Sequence, residues 1–419
     1  MTNAVAVTNP SLDKPARMLS VDALRGFVMF TMLYVNDVSG VHGLPWWMKH
    51  FDETGNNGMT FVDWVFGGFL FVVGVSIPLA FANRLKRGEP WWKLGIHIVT
   101  RTLGLLLLGV LMVNGEDDLH PSASRMGFSV ELWQLILFSS GILAFLAPIA
   151  KTRAAKITNI VLRVIGFAGL AFVGIVYRND KGGWLSLSWW GILGLIGWAY
   201  LIASITYLVL RKREWLVAAT FLLMAFFMFD HTDFFGKPHN WGARHLPFLH
   251  WLHQYLNYAD VLGSQPAISV AGVVVGSMLL DTQMTGRQRR RDALLWGFLL
   301  AIAAVLFYPF YLLNKNNGTP TWCFICAAVT SWLWAGFSWL IDERRIERPL
   351  QLFIRGGQNV LFAYLFVDVV LYFIWWRGYG FYGHLGHSLA TGITRSLVMA
   401  ALILWLTGFV KNRGGRLQL

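Results

Sequence analysis

Twelve apolar stretches divide this chain, near residues 22–38, 60–83, 97–114, 129–149, 157–177, 186–210, 214–230, 265–281, 292–313, 320–341, 357–376 and 391–410. Each approaches the roughly 20 residues that a helix needs to cross the hydrocarbon of a bilayer. Lipid offers no hydrogen bonds, so a spanning segment must satisfy its own backbone, and a helix does so within itself. The expected fold is therefore an all-α polytopic membrane protein of about twelve transmembrane helices. Composition agrees: 56% of the 419 residues are hydrophobic and only 14% are charged, against about 25% charged in ordinary soluble domains. The 21 Trp suit the two membrane interfaces.

The basic residues set the orientation. Placing the N-terminus in the cytoplasm and alternating the helices sends most of the 35 Lys and Arg to inner loops. The clusters include Lys14, Arg17 and Arg25, then Arg84, Lys86, Arg87, Lys93 and Arg101, then Lys151 to Arg163. Arg211 to Arg213, Arg287 to Arg291, Arg344 to Arg355 and Lys411 to Arg416 follow. Every inner loop is then basic, as the positive-inside rule requires, and both termini are cytoplasmic. The net charge of +13 is thus a topology signal, and nucleic acid is not an expected partner. The organisation reads as a cytoplasmic polar N-terminus (1–19), a membrane domain (20–411) and a cytoplasmic tail (412–419), with outer loops about 39–60, 115–128, 231–264 and 377–390. Residues 1–19 are polar and do not read as a cleavable signal. Cys323 and Cys326 lie inside one apolar stretch and read as helix packing rather than a redox or metal pair.

Histidine falls the opposite way. Of the 11 His, only His97 is assigned inward. His231, His239, His245, His250 and His253 crowd the longest outer loop, where HLPFLHWLHQYL spaces His250 and His253 on one face of an interfacial helix. No carboxylates or thiols accompany them at metal-ligand spacing, so no metal is expected.

Ionisable and amide groups at membrane depth mark pathways or sites. Asn36 and Asp37 close the first segment, His50 follows in the loop, and Asp63 lies about one turn into the second. A neutral imidazole can take a proton from an amine or hydroxyl, or be acylated itself, and a carboxylate can orient it. An amide such as Asn36 can donate to a developing oxyanion. Loop exposure for His50 and helix-start placement for Asp63 explain the same residues without chemistry. Further candidates are Asn314, Lys315 and Asn316 before Thr319 and Pro320, Gln358 and Asn359 at the start of the eleventh segment, and Asp368 near its centre. Glu131 and Gln134 open the fourth.

These residues sit in runs that resemble the heparan-α-glucosaminide N-acetyltransferase family: VDALRGF, VNDVSG, MKHF, NNGMTFVDWVF and FVVGVSIP, then ELWQLI, YADVLGSQPA, LNKNNGTPTW and GGQNVLFAYLF in the same order. Between ELWQLI and YADVLG there is room for three helices, where the lysosomal enzyme has one. The resemblance implies transfer of an acetyl group from acetyl-CoA to the amine of a terminal glucosamine across a membrane. It matches the family's active-site histidine to His50, the asparagine closing the first core helix to Asn36, and the next helix's carboxylate to Asp63. It also implies cavity roles for Asn314, Lys315 and Asn359, to which Gln134 and Asp368 are added as substrate-side candidates. Phosphates of the donor would meet the basic inner side, with Arg25, Arg84, Lys86, Arg87 and Arg101 as candidates. The expected setting is the bacterial inner membrane, with lipids around the chain and a homodimer by family likeness. A permease for N-acetylglucosamine or a related amino sugar is the alternative that helix number and charge pattern leave open.

Overall fold

The computed structural model describes residues 18–51, 57–147, 152–230, 241–253 and 255–417. Lys14, Arg17, Lys151, His231 and His239 lie outside them. Every one of the twelve apolar segments contains a helix: α1 (Leu19–Val38), α2 (Phe61–Lys86), α3 (Trp91–Val113), α4 (Val130–Ala144), α5 (Arg153–Val176), α6 (Gly191–Leu210), α7 (Arg213–Asp230), α8 (Gln265–Leu280), α9 (Gly286–Phe307), α10 (Pro320–Phe337), α11 (Val360–Trp376) and α12 (Leu389–Asn412). Among the described residues extended structure is limited to two isolated bridges, Pro121 with Asn179 and Leu146 with Leu417.

Seven of these elements are long and apolar enough to cross a bilayer, or eight if the segment Arg348–Gly356 and α11, bent by 81° at their break, count as one. The seven are α2, α3, α5, α6, α8 with the π turn before it, α10 with its continuation to Glu343, and α12. Each of α1, α7 and α9 carries at least three charged residues, and α4 has 15 residues. The chain is an all-helical, multi-pass membrane protein. Boundaries differ from the sequence reading most at α9, which begins inside the basic run at Gly286 because Thr285 and Gln288 form a capping box there. Its C-terminal end stops at Phe307.

The centre of the bundle is α2 against α8. The apolar window of α8 is 89% buried, while that of α5 is only 22% buried and faces outward. Helices in lipid associate through close packing of small residues, and this seam shows it. A Cβ on Gly74 would stand 1.8 Å from the Ser269 carbonyl oxygen, and one on Gly272 would stand 2.0 Å from that of Phe71. Ser269 adds a hydroxyl bond to the Leu70 carbonyl at 3.0 Å. Gly276 meets Val75 and Pro78 further along, so the two helices run parallel. Their C-terminal ends share one end of the bundle with Arg84, Arg25 and Gly357. Asp63 and the α1–α2 loop occupy the other end, about 30 Å away by helix rise.

Candidate active site

The start of α2 explains why His50 and Asp63 meet. Thr60 and Asp63 form a capping box: the Thr60 hydroxyl accepts from the Val62 amide at 3.2 Å, and Asp63 Oδ2 accepts from the Thr60 amide at 3.0 Å. Such a box satisfies amides that a helix start leaves open. The carboxylate has capacity to spare, and the loop uses it. Phe51 donates its amide to Oδ2 at 3.1 Å, and His50 places Nδ1 2.8 Å from Oδ1. The Thr60 hydroxyl completes the stitch by donating to the Lys49 carbonyl at 2.7 Å. Behind the pair, Trp322 of α10 donates its indole N–H to the Asp63 carbonyl at 3.1 Å.

The Asp63 side chain is 1% exposed and that of His50 is 37% exposed. A carboxylate only accepts, so the 2.8 Å contact is a hydrogen bond when the ring proton sits on Nδ1, the tautomer that leaves Nε2 with its lone pair. Lys315 reaches the same point from the turn before α10. Its Nζ lies 3.2 Å from His50 Nδ1 and 3.9 Å from Asp63 Oδ1. The turn is held by buried Asn314, whose side-chain oxygen accepts the Asn317 amide at 3.0 Å and whose carbonyl accepts the Thr319 amide at 3.2 Å. Gly318, at φ +56°, lets that turn close. Asn314 therefore shapes the turn that delivers Lys315.

Other candidates fall elsewhere. Asn36 stands exposed on the last turn of α1, and its carbonyl accepts the Ser39 hydroxyl at 2.7 Å. Among the described residues no hydrogen bond ties its side chain to His50 or Asp63. Gln134 is buried and donates to the Gly115 carbonyl at 2.6 Å, pinning the chain that leaves α3. Asp368 is half-buried in α11, and among the described residues no hydrogen bond or ion pair holds its carboxyl. Asn359 is not brought to this end at all. It is buried, accepts the Leu417 amide at 3.0 Å, and so fastens the C-terminal tail. Its neighbour Gly357 abuts the N-terminal half of α1, where a Cβ would stand 1.9 Å from the Asp22 carbonyl oxygen. Its place in GGQNVLFAYLF suggested a pathway residue, but the sharp bend before α11 turns it toward the tail.

The basic candidates do gather at that far end. Arg25 donates to Ser76 at 2.8 Å and to the Gly357 carbonyl at 3.2 Å, and pairs with Asp22 at 3.3 Å. Arg84 pairs with Glu89 at 2.7 Å, and Arg101 lies 4.6 Å over the Tyr200 ring. Lys86 and Arg87 are exposed. A cavity of about 600 Å³ opens at the same end, lined by Arg211, Lys212, Arg213, Glu214, Ser277 and Asp281. The sequence reading took that basic triplet only as a topology signal. It also passed over Arg395, Tyr382 and Ser396, which surround Asp37. Nothing local in their sequence marks them, because their partner lies in another helix. Among the described residues no group of three or more His, Cys, Asp or Glu could hold a metal ion.

Fold and site together define a multi-pass helical membrane protein with a carboxylate-oriented histidine at one end of its central helix. The chain belongs to the family described as a domain of unknown function, DUF5009, whose profile matches residues 17–262. It is also similar to heparan-alpha-glucosaminide N-acetyltransferase of Homo sapiens, 36% identical over 107 residues that make up 26% of this chain and 15% of that protein. The protein of the same name from Mus musculus is 37% identical over 105 residues, 25% of this chain and 15% of that protein. The resemblance read from the motifs is thus borne out, over a segment covering less than a sixth of the length of either relative.

Proposed function

We propose that this protein is a transmembrane acetyltransferase, moving an acetyl group from acetyl-CoA to the amine of a glucosamine-type sugar at the outer side of the membrane. The observation that carries this reading is the His50–Asp63 contact at 2.8 Å, with Lys315 at 3.2 Å. The amine nitrogen attacks the thioester carbonyl, a C–N bond forms, and the C–S bond breaks. Nε2 of His50 takes the proton from the amine and returns it to the departing thiolate. Asp63 steadies the imidazolium, and Asn36 donates to the oxyanion. If His50 carries the acetyl group first, an Nε2–C bond forms as the C–S bond breaks and the thiol departs, and that Nε2–C bond then breaks as the amine forms its C–N bond.

The donor's phosphates belong at the basic end, among Arg84, Lys86, Arg87 and Arg101, with the thioester reaching toward His50. Arg25, already engaged by Ser76 and the Gly357 carbonyl, braces that route. Asn314 holds Lys315 in place, while Gln134 and Asp368 belong to the surrounding helices on the substrate side. In this reading all twelve helices cross the bilayer, α4 and the charged helices within the bundle, and both termini are cytoplasmic in a bacterial inner membrane. Lipids cover the exposed face of α5, and a second copy completes a homodimer.

The test is direct. Purified protein given acetyl-CoA and glucosamine should release free CoA thiol, and His50→Ala should abolish the release. No release from wild type, with vesicles that accumulate labelled N-acetylglucosamine, would replace the enzyme with a permease. Mass spectrometry after acetyl-CoA alone separates the two routes, because only the stepwise one leaves an acetylated His50.

A further inference from the structure

We propose that Arg395 is a positioning residue for acyl transfer, clamping the last turn of α1 so that Asn36 and the loop running to His50 are held in one geometry. This rests on the acetyltransferase reading above. A helix end leaves its last carbonyls without partners, and here an arginine from α12 takes one. Arg395 Nη2 donates to the Asp37 carbonyl at 2.9 Å, and Nε donates to Asp37 Oδ2 at 3.2 Å. Ser396 donates to Oδ2 at 2.6 Å and the Tyr382 hydroxyl to Oδ1 at 2.8 Å. The third guanidinium nitrogen, Nη1, donates to the Tyr382 carbonyl at 3.0 Å, and the guanidinium lies 4.5 Å over the Tyr382 ring. Burial and the neighbouring Asp37 charge raise the Tyr382 phenol above its ordinary range, keeping it a donor.

The two charged side chains are 9% and 5% exposed. A buried ion pair is a poor way to gain stability, since well-packed apolar residues often do as well. What this one supplies is direction: three nitrogens of one guanidinium and both oxygens of one carboxylate are all engaged. The clamp also extends along the loop. Val41 fills the space over Gly392, where a Cβ would stand 2.4 Å from its methyl carbon. His42 donates its amide to the Gly386 carbonyl at 2.9 Å, and its ring stacks on His387 at 5.3 Å. Asn36 immediately precedes this anchored stretch. The Thr60–Asp63 box fastens the loop's other end at Lys49 to Phe51. The loop is therefore pinned near both ends, and the first pin comes from α12 and the segment just before it.

Acetyl transfer to glucosamine by the purified full chain tests this through kcat and KM separately, with amide hydrogen exchange of residues 39–49 as a second readout. A displacement of about 1 Å in a reacting group can cost about 100-fold in rate. Arg395→Ala should lower kcat about 10- to 100-fold, leave KM for acetyl-CoA within about twofold, and speed exchange in 39–49. Arg395→Lys should recover part of kcat, and Tyr382→Phe, which deletes one bond, should lose less. Wild-type kcat with unchanged exchange in Arg395→Ala would overturn the proposal. A loss shared by kcat, KM and overall thermal stability without recovery in Arg395→Lys would overturn it too. If wild type itself transfers no acetyl group, the enzyme reading fails, and exchange alone decides the clamp: faster in 39–49 supports it, unchanged refutes it.

Discussion

His50 Nδ1 lies 2.8 Å from Asp63 Oδ1, while Oδ2 of the same carboxylate holds the first turn of α2 and the Phe51 amide. One side chain thereby starts the central helix and orients the ring beside it. The two duties can be separated by substitution. Asp63→Asn preserves the shape and an acceptor for the backbone amides but offers the ring a different partner, so kcat for CoA release should fall about 10²- to 10⁴-fold. Its melting temperature in detergent should stay near that of wild type. Asp63→Ala strips the amides of Thr60 and Phe51 of their acceptor as well, a further loss of about 1–3 kcal/mol. Equal melting temperatures for Asn and Ala variants would show that the cap does not depend on this carboxylate.

Two asparagines that the family resemblance implicates should behave in opposite ways. Asn36 is exposed at the end of α1, and Asn36→Ala should lower kcat about 10²- to 10³-fold, as expected for loss of an oxyanion donor, with little change in stability. Asn359 is buried against the tail, where its side-chain oxygen takes the Leu417 amide. Asn359→Ala should destabilise the protein by about 1–3 kcal/mol through that orphaned amide and leave kcat near wild type. A matched pair of kinetic and melting measurements on the two variants decides the point. Large kcat loss in Asn359→Ala at intact stability would return it to the substrate side.

How much of this was legible beforehand depended on the range of the interactions involved. Apolar length found a helix in each of the twelve segments, because that signal is local. The His50–Asp63 pair was also within reach, since Thr60 and Asp63 have capping-box spacing and the chain returns to the helix start over a short loop. Lys315 was legible as a charged residue at a helix end and from the family resemblance, but its contact with His50 was not. Its approach depends on α10 packing behind Asp63, which Trp322 reports in the structure but no spacing does. Arg395 was invisible for a stronger reason: a basic residue near the start of an apolar segment is ordinary until Asp37 is seen opposite it. The setting of Asn359 was not legible, because a polar pair opening a helix looks the same whether it faces a cavity or a tail.

Glu116 offers a pH test outside the membrane-spanning helices. Desolvation of its carboxyl and the nearby Asp118 charge raise it from 4.5 to about 7, against a hydrogen bond from Trp189 that lowers it. The folded chain thus keeps this proton after the unfolded chain has released it. The associated stability is fully present below about pH 4.5 and is lost as pH rises through about 7. Melting curves at several pH values should show wild type losing stability relative to Glu116→Gln across that window. Parallel curves for the two proteins would mean that Glu116 ionises as freely folded as unfolded.

The seam between α2 and α8 sets the distance between the two ends of the proposed reaction path, and its glycines should tolerate nothing larger. A methyl on Gly272 would meet the Phe71 carbonyl oxygen at 2.0 Å, and one on Gly74 would meet that of Ser269 at 1.8 Å. Both obstacles are backbone, so no side chain can swing aside and the helices themselves must part. Overpacking of this kind typically costs about 1–3 kcal/mol, and membrane helices lack the hydrophobic drive that would press them back together. Gly272→Ala and Gly74→Ala should each lower the melting temperature, while Gly286→Ala, at a position where a Cβ meets nothing within 4 Å, should not. Because α8 carries Ser277 and α2 carries Arg84 toward the basic end, parting the helices should also weaken acetyl-CoA binding, read as a rise in KM. A Gly272→Ala protein that melts and binds like wild type would mean that α2 and α8 do not pack at this distance.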